Sequence, residues 1–459
     1  MKCRRVVVTA LVALAGGASA LTAQQVRVRS TTTGQFIQLR SLKVDSTGVY
    51  SAGAVNEAVP LSEDVELSAW GLGIQGLRAY GLFRVRGSIG SELIWPRYDD
   101  HFDALAGYLE LERTQWRFRL GRQQRSSGLG LYGFDGGAVT WRPKPNVRFE
   151  TYGGRGLARG YNDPINSSAI LTEDPFIPDK GTLLFGVSGW AAPTSRSFVS
   201  ATYQREILND FSGVVSERMA FDGQTTIARR WTLAASTDVD IGAAVLGKAR
   251  LAATAWLPHS SSLAVSVFRY RPTFDLTTIW GAFAPQAHKG TSVAATLPPL
   301  GEITFTAGWT LRVYEKVTET TPFLVDVGTT TNTVSLGGTW AHRALAVTGN
   351  YRFITGYGGE ESAGDLRVAL DHGDSWQIGL NGTAFQNTEY FRVARGTVLG
   401  FGADARATVT SRLSVSGRLM QYIHTGTTGM DSPDWNQTRA LFQVDWVMGA
   451  SADRVAGYR

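Results

Sequence analysis

The chain has 459 residues, with 45 Lys and Arg against 39 Asp and Glu, a formal net charge of +6, 52 glycines and 18% charged residues. So small a basic surplus, partly supplied by Lys2, Arg4 and Arg5, makes no case for nucleic-acid binding, which would show clustered basic patches. The one cysteine, Cys3, excludes structural disulfides, Cys-ligated zinc and cysteine nucleophiles from everything downstream.

At the N-terminus, Lys2, Arg4 and Arg5 precede an apolar run from Val6 to Ala15 and then small residues in "GGASALTAQQ". This predicts a secretory signal peptide over residues 1–23, cleaved after Ala23, with Ala20 as the alternative site. The run is too short to span a bilayer, which takes ~20 apolar residues as a helix. A lipoprotein would need a Cys at the cleavage point, and none is there. No later stretch has the length and apolarity of a transmembrane helix. Residues 24–459 are expected to form one unit with a short C-terminal tail.

The clearest strand signal is "YLELERTQWRFRLGRQ", Tyr108 to Gln123. With Thr114 and Gln115 as the loop, Glu112 faces Arg117, Leu111 faces Phe118, Glu110 faces Arg119 and Leu109 faces Leu120. One face of the hairpin is apolar and the other carries opposed charges, and a one-residue slip would exchange them. Period-2 alternation recurs to the end of the chain: Ile303 to Val313, Val334 to Trp340, Leu345 to Phe353, Trp376 to Leu380, Leu413 to Leu419 and Ala440 to Met448. No comparable helical period interrupts it. Such patterning, with a mean hydropathy of −0.09, predicts an all-β, transmembrane antiparallel β-barrel of about 18 strands, within a range of 16–22. Aromatic residues near strand ends (Trp95, Trp141, Trp256, Tyr270, Trp340, Tyr351, Trp446) are expected in two girdles. Tight connections at "RTQW", "RPKPN", "LPHSS" and "AHRA" read as periplasmic turns, and Gly156–Lys180 and Glu315–Thr330 as extracellular loops. Whether Gly156–Lys180 folds into the lumen stays open. A soluble sandwich or propeller is the competing architecture, but a propeller should show a repeat of 40 to 50 residues, and none is found.

If the apolar face meets lipid, the charged face lines the lumen. By parity the inward arginines are Arg84, Arg86, Arg117, Arg119, Arg148, Arg312, Arg352, Arg367, Arg406, Arg418 and Arg439, against Glu110, Glu112, Glu150, Asp365, Asp404 and Asp445, and the candidate lumen-lining selectivity residues among them are Arg84, Arg86, Glu110, Glu112, Arg117, Arg119, Arg148, Arg312, Arg352 and Arg418. Arginine outnumbers acid there, which predicts a preference for anions. The competing reading is that Arg and Glu only pair with one another and brace the wall. Catalysis finds little support: the six histidines are scattered singly, "FGVSGW" lacks the spacing of a nucleophile elbow, and "YDDHFD" (Tyr98 to Asp103) reads as a solvated loop before a cation site. No enzyme, cofactor or metal is expected.

At "LGRQQRSSGLGLYGFDGGAVTW", Leu120 to Trp141, the sequence resembles bacterial outer-membrane porins, the alginate-export family in particular. The resemblance rests on Leu120, Gly121, Arg122 and Gln123, then Phe134, Asp135 and Gly136 after a Gly-rich turn. It implies a passive channel for small polar or anionic solutes, saccharides included. The expected setting is the bacterial outer membrane, with its lipid and barrel assembly machinery as partners, as a monomer or trimer. The alternative is a non-conducting barrel that displays its loops as a surface or adhesin-type protein.

Overall fold

The computed structural model describes residues 25–44, 50–90, 102–157, 181–271, 287–315, 329–357, 360–373, 375–389, 396–426 and 434–449. The expected signal segment and the tail beyond Gly449 lie outside them. The strands, in chain order, are β1 (Gln25–Val44), β2 (Tyr50–Trp70), β3 (Leu77–Gly90), β4 (Phe102–Glu112), β5 (Trp116–Ser127), β6 (Gly130–Lys144), β7 (Val147–Gly156) and β8 (Thr182–Thr194). They continue as β9 (Ser197–Leu208), β10 (Val214–Ile227), β11 (Trp231–Asp240), β12 (Val245–Leu257), β13 (Ser261–Tyr270), β14 (His288–Thr296) and β15 (Ile303–Tyr314). The last are β16 (Thr330–His342), β17 (Leu345–Gly356), β18 (Glu360–His372), β19 (Trp376–Glu389), β20 (Gly396–Thr410), β21 (Leu413–Gly426) and β22 (Trp435–Gly449).

Each strand pairs antiparallel with the next, and β1 pairs with β22 through Val28 opposite Met448 and Gly34 opposite Phe442, so the sheet closes on itself. The all-β antiparallel barrel is therefore as expected, but it has 22 strands among the described residues and not about 18. The undercount has a physical source. The outward positions of β1 run Val28, Ser30, Thr32 and Gly34, and those of β2 include Glu63 opposite Thr32, so neither strand shows a clean apolar face. Strand β14, only nine residues long, alternates mainly between Gly, Ser, Thr and Ala.

Side-chain exposure fixes the two faces. Leu109, Phe118 and Leu120 are 52%, 43% and 68% exposed on the outside of the predicted hairpin, whereas Glu110 is buried on the inside. The predicted register holds at every pair from Glu112–Arg117 to Leu109–Leu120. Outward aromatic rings stack across strands, Trp116 on Trp141 and Trp141 on Phe149, each at 5.8 Å between centroids. Trp340, Tyr351 and Trp446 also point outward, as expected of a girdle. Trp256 and Tyr270 do not: they stand opposite Ser262 and His288 and share the inward face with Thr254 and Ser266. Trp95 lies outside the described residues.

The connections sort by end. The start of β1 and the end of β22 lie at the same end as the β4–β5, β6–β7, β12–β13 and β16–β17 turns, which are the four tight connections read from the sequence. The last of these turns on Arg343 and Ala344, with Arg343 at φ 52° and His342 facing Leu345. The Gly156–Lys180 and Glu315–Thr330 segments leave from the opposite end, and most of each, residues 158–180 and 316–328, lies outside the described residues. A round barrel of this strand number, with strands ~4.8 Å apart and tilted ~40°, is roughly 40 Å across. Wall side chains alone cannot fill it.

Candidate lumen wall and constriction

Every candidate lumen residue lies on an inward-facing strand position, but the ten divide into two groups. The braced group has carboxylate partners. Arg84 makes a bidentate pair with Asp64, at 2.6 and 2.8 Å. Arg86 pairs with the buried Asp103, Arg119 with Glu110 at 2.6 Å and Arg352 with Glu361 at 2.6 Å. Glu112 faces Arg117 in register, yet its carboxylate accepts from Arg142 of β6 at 2.9 Å, with Arg78 at 3.9 Å. The expected Glu112–Arg117 charge pair is thus replaced by a longer reach, because Arg142 sits two strands away on the same inner face.

The second group makes no ion pair with a carboxylate among the described residues. Arg117 donates to the Thr140 hydroxyl at 3.3 Å, and Arg312 donates to Thr333 at 3.3 Å. Arg148 lies over the Trp190 ring at 5.6 Å. Arg418 stands opposite Asp404 in register, but the Asp404 carboxylate is engaged by Arg367 at 2.8 Å and Asn381 at 2.5 Å. Bracing therefore accounts for part of the arginine surplus and leaves these four guanidinium groups without a paired anion. They sit on β5, β7, β15 and β21 and do not form a single ring.

The largest departure from the sequence reading is at the motif that carried the family resemblance. The Gly-rich stretch after Gln123 is not an extended turn: β5 runs to Ser127, β6 starts at Gly130, and the turn is Gly128–Leu129. Arg122 and Asp135, one from each half of the motif, form a bidentate pair at 2.8 and 2.9 Å across the hairpin. Beyond that pair the hairpin leaves the wall. Pairing of β5 with β4 stops at Arg122–Gly107, while along β6 it runs past Phe134–Gly156 to a hydrogen bond from the Leu157 N–H to the Gly133 carbonyl, the last described residue of that edge. Gly121 has φ 132°, and a Cβ there would run into the Gly107 carbonyl. Gly136 and Gly154 approach so closely that a Cβ on either would lie 2.6 Å from the other's Cα. These positions let the hairpin bend inward where a larger residue would hold it in the wall.

The tip, Gln123–Gly133, crosses the inner faces of β7, β8 and β9 and rests against β10, about 19 Å away along the wall at ordinary strand spacing. Arg218 of β10 donates to the Leu129 carbonyl at 3.3 Å and to the Tyr132 hydroxyl at 2.9 Å, and also pairs with Asp238. Arg125 lies 4.2 Å above the Tyr152 ring, pairs with Glu150 of β7 and donates to Ser188 of β8 at 2.6 Å. Tyr132, Phe134, Tyr152, Leu184 and Ala220 thereby form a buried apolar cluster inside the barrel. Burial of Leu184 to 1% exposure, on a face that would otherwise meet lumen water, follows from the hairpin lying over it. Alternation carries no direct signal of this fold-in; the glycines at 121, 133, 136 and 154 are the feature of the chain that goes with it.

Among the described residues the serine and several histidines singled out from the sequence are engaged with other side chains. Ser188 is engaged by Arg125. His342 contacts Glu302, His372 stacks on Trp376 and His424 on Trp435. Asp103, the described end of "YDDHFD", is taken up by Arg86. No group of three potential ligands able to hold a metal occurs among the described residues.

No family model matches the chain, so the expected alginate-export resemblance finds no support, and no curated protein matches it. Among solved structures it is similar to a BenF-like porin of Pseudomonas fluorescens, at 10% identity over 94% of this chain and 100% of that one, with a TM-score of 0.43. It is similar to the P pilus usher translocation pore at 11% identity over 92% and 99% of the two chains, TM-score 0.44. OccD3 of Pseudomonas aeruginosa gives 10% identity over 93% and 92%, TM-score 0.42. Likeness at this level carries no argument about what passes through the barrel.

Proposed function

We propose that the protein is a passive outer-membrane channel for small polar or anionic solutes. The observation that carries this reading is the inner wall: it is polar and charged, belongs to a barrel too wide for its own side chains to fill, and holds Arg117, Arg148, Arg312 and Arg418 without a paired carboxylate among the described residues. Most of the outward face is apolar, as contact with lipid requires, since each charge there costs up to ~2–4 kcal/mol at the bilayer midplane. Four unpaired guanidinium groups lower the cost of an anion in the lumen relative to a cation. Conduction along such a wall needs neither cofactor nor enzyme chemistry.

The test is single-channel current of the refolded protein in a planar bilayer under a salt gradient, with small carboxylates and acidic sugars then offered as competing solutes. Conductance steps with an anion-selective reversal potential support the reading. A folded barrel that never conducts removes it and leaves display of the long loops as the function. Either chain stoichiometry, monomer or trimer, is compatible with this wall.

A further inference from the structure

The two sides of the lumen differ. Where the β5–β6 hairpin lies over the wall, the inward residues Tyr152, Leu184, Thr202, Gln204 and Ala220 of β7–β10 are buried. Eight strands further round, the inward residues Thr306, Ser335, Asn350 and Asp365 of β15–β18 are exposed. The open part of the lumen therefore runs along β15–β18, and register builds a trough there. Thr306, Gly337, Asn350 and Asp365 form one row across the four strands, and Gly308, Ser335 and Arg352 stand in the row beside it. The two glycines keep its floor low. A Cβ on Gly337 would lie 2.5 Å from Thr306 Oγ1 and 2.9 Å from Asn350 Oδ1, and one on Gly308 would lie 2.5 Å from Ser335 Oγ. With inward residues of β13 and β14, the rows bound a cavity of about 530 Å³. Arg352 is held by Glu361 at 2.6 Å. Among the described residues, no hydrogen bond or ion pair takes up the polar ends of Thr306, Ser335, Asn350 and Asp365.

We propose that this trough is a binding subsite for an uncharged, polyhydroxylated solute, a sugar or sugar alcohol, on its way through the lumen. The proposal rests on the channel reading and gives its polar solute a chemical class. The carboxylate of Asp365 only accepts and has two oxygens for two neighbouring hydroxyls, the Asn350 amide both donates and accepts, and the Thr306 and Ser335 hydroxyls do either. Neighbouring hydroxyls of a sugar match that set, since each can donate to one group and accept from another. The space also fits, because sites for small molecules enclose roughly 300–1,000 Å³. An anion gains least here: Asp365 repels it, and Glu361 already meets the charge of Arg352. A small cation would use the carboxylate and leave most of the trough empty.

Maltose and sorbitol are the probes, with a poly(ethylene glycol) of similar size as the control, because the polymer fills a passage but carries hydroxyls only at its ends. Binding is measured by isothermal titration calorimetry on the refolded protein, in a detergent without a sugar headgroup and without reference to conduction. Current interruptions are measured on single channels in a planar bilayer. The expected result is maltose binding together with interruptions that saturate as maltose is raised, and neither from the polymer. Asp365→Asn keeps the size of the side chain and removes its charge, whereas Gly337→Val fills the floor and keeps every polar group. Circular dichroism and urea resistance check that both variants fold. Each should raise the maltose Kd roughly tenfold or more, the scale set by losing one hydrogen bond to a charged group. An unchanged Kd in both folded variants overturns the trough as the site. A parent channel that conducts but neither binds the two probes nor is interrupted by them overturns the proposal and leaves the channel intact. Maltose binding by a barrel that never conducts overturns the channel reading and leaves the trough as a binding site.

Discussion

Arg218 and Tyr132 meet at 2.9 Å although 86 residues separate them, and the contact runs through the inside of the barrel. Tyr132 lies in a buried cluster with Phe134, Tyr152 and Leu184. Tyr132→Phe keeps the ring packing and removes the hydroxyl, so it should cost about 1 kcal/mol of stability. If the hydroxyl contributes to holding the tip, the channel of this variant should flicker more than the parent at equal urea resistance. Open-channel noise analysis decides this, and a silent substitution would assign the holding to the Leu129 carbonyl and to the Arg125 contacts with Glu150 and Ser188.

The braced pairs predict a stability effect that can be separated from selectivity. Glu110 is buried and bonded to Arg119 at 2.6 Å. Arg119→Glu places two carboxylates opposite each other on β4 and β5 and should destabilise the barrel by about 3 kcal/mol or more, as breaking a buried pair does. The exchange Glu110→Arg/Arg119→Glu should recover most of the loss. Urea midpoints of the three chains in detergent measure it, and failure of the exchange to recover would mean that neighbours such as Tyr108, whose ring lies 4.9 Å from Arg119, fix the orientation of the pair.

Selectivity should follow the other group of arginines. Neutralising Arg84 together with Asp64, as Arg84→Gln/Asp64→Asn, leaves the net lumen charge unchanged and should leave the anion-to-cation permeability ratio unchanged. Arg117→Gln or Arg148→Gln removes a charge with no paired anion and should lower that ratio, further when combined. Reversal potentials in a salt gradient distinguish the cases. Equal shifts from all of these variants would show that paired and unpaired arginines act alike on passing ions.

How far the sequence could be read is visible in these same residues. The Tyr108–Gln123 hairpin was legible to the single pair because a half-exposed antiparallel ribbon forces strict alternation, and charge opposed charge across it. Strands β1 and β2 were not, since hydroxyl-bearing and acidic side chains take outward positions where the pattern demands apolar ones. The fold-in was hidden for a different reason. Alternation reports that Gln123–Gly133 is extended, and an extended ribbon reads the same whether it lies in the wall or across the lumen. Only the contacts of Arg125 with Glu150 and Ser188 and of the tip with Arg218 separate those two cases, and all are relations between distant strands. Parity assigns the arginines to the inner strand positions, but it cannot say which of them has a carboxylate within reach; Glu112 bonds Arg142 and not the arginine directly opposite.

Glu63 gives the last prediction. Its register opposite Val85 and Thr32 puts it on the outward face, where its two carboxylate oxygens accept from the Ser30 and Thr32 hydroxyls. An outward carboxylate is unfavourable beside lipid, but the two hydroxyls depend on it as their acceptor. Glu63→Val alone removes the charge and strands both donors, each costing about 1–3 kcal/mol when left buried and unpaired, so it should be neutral or destabilising. Glu63→Val/Ser30→Ala/Thr32→Val removes donors and acceptor together and should raise stability by about 1–2 kcal/mol. Urea midpoints in lipid vesicles and in detergent measure both, and the gain should be larger in vesicles, where the outward face meets hydrocarbon. A triple variant less stable than the parent in vesicles would place this patch against something other than lipid, since only a polar neighbour would make the carboxylate worth keeping.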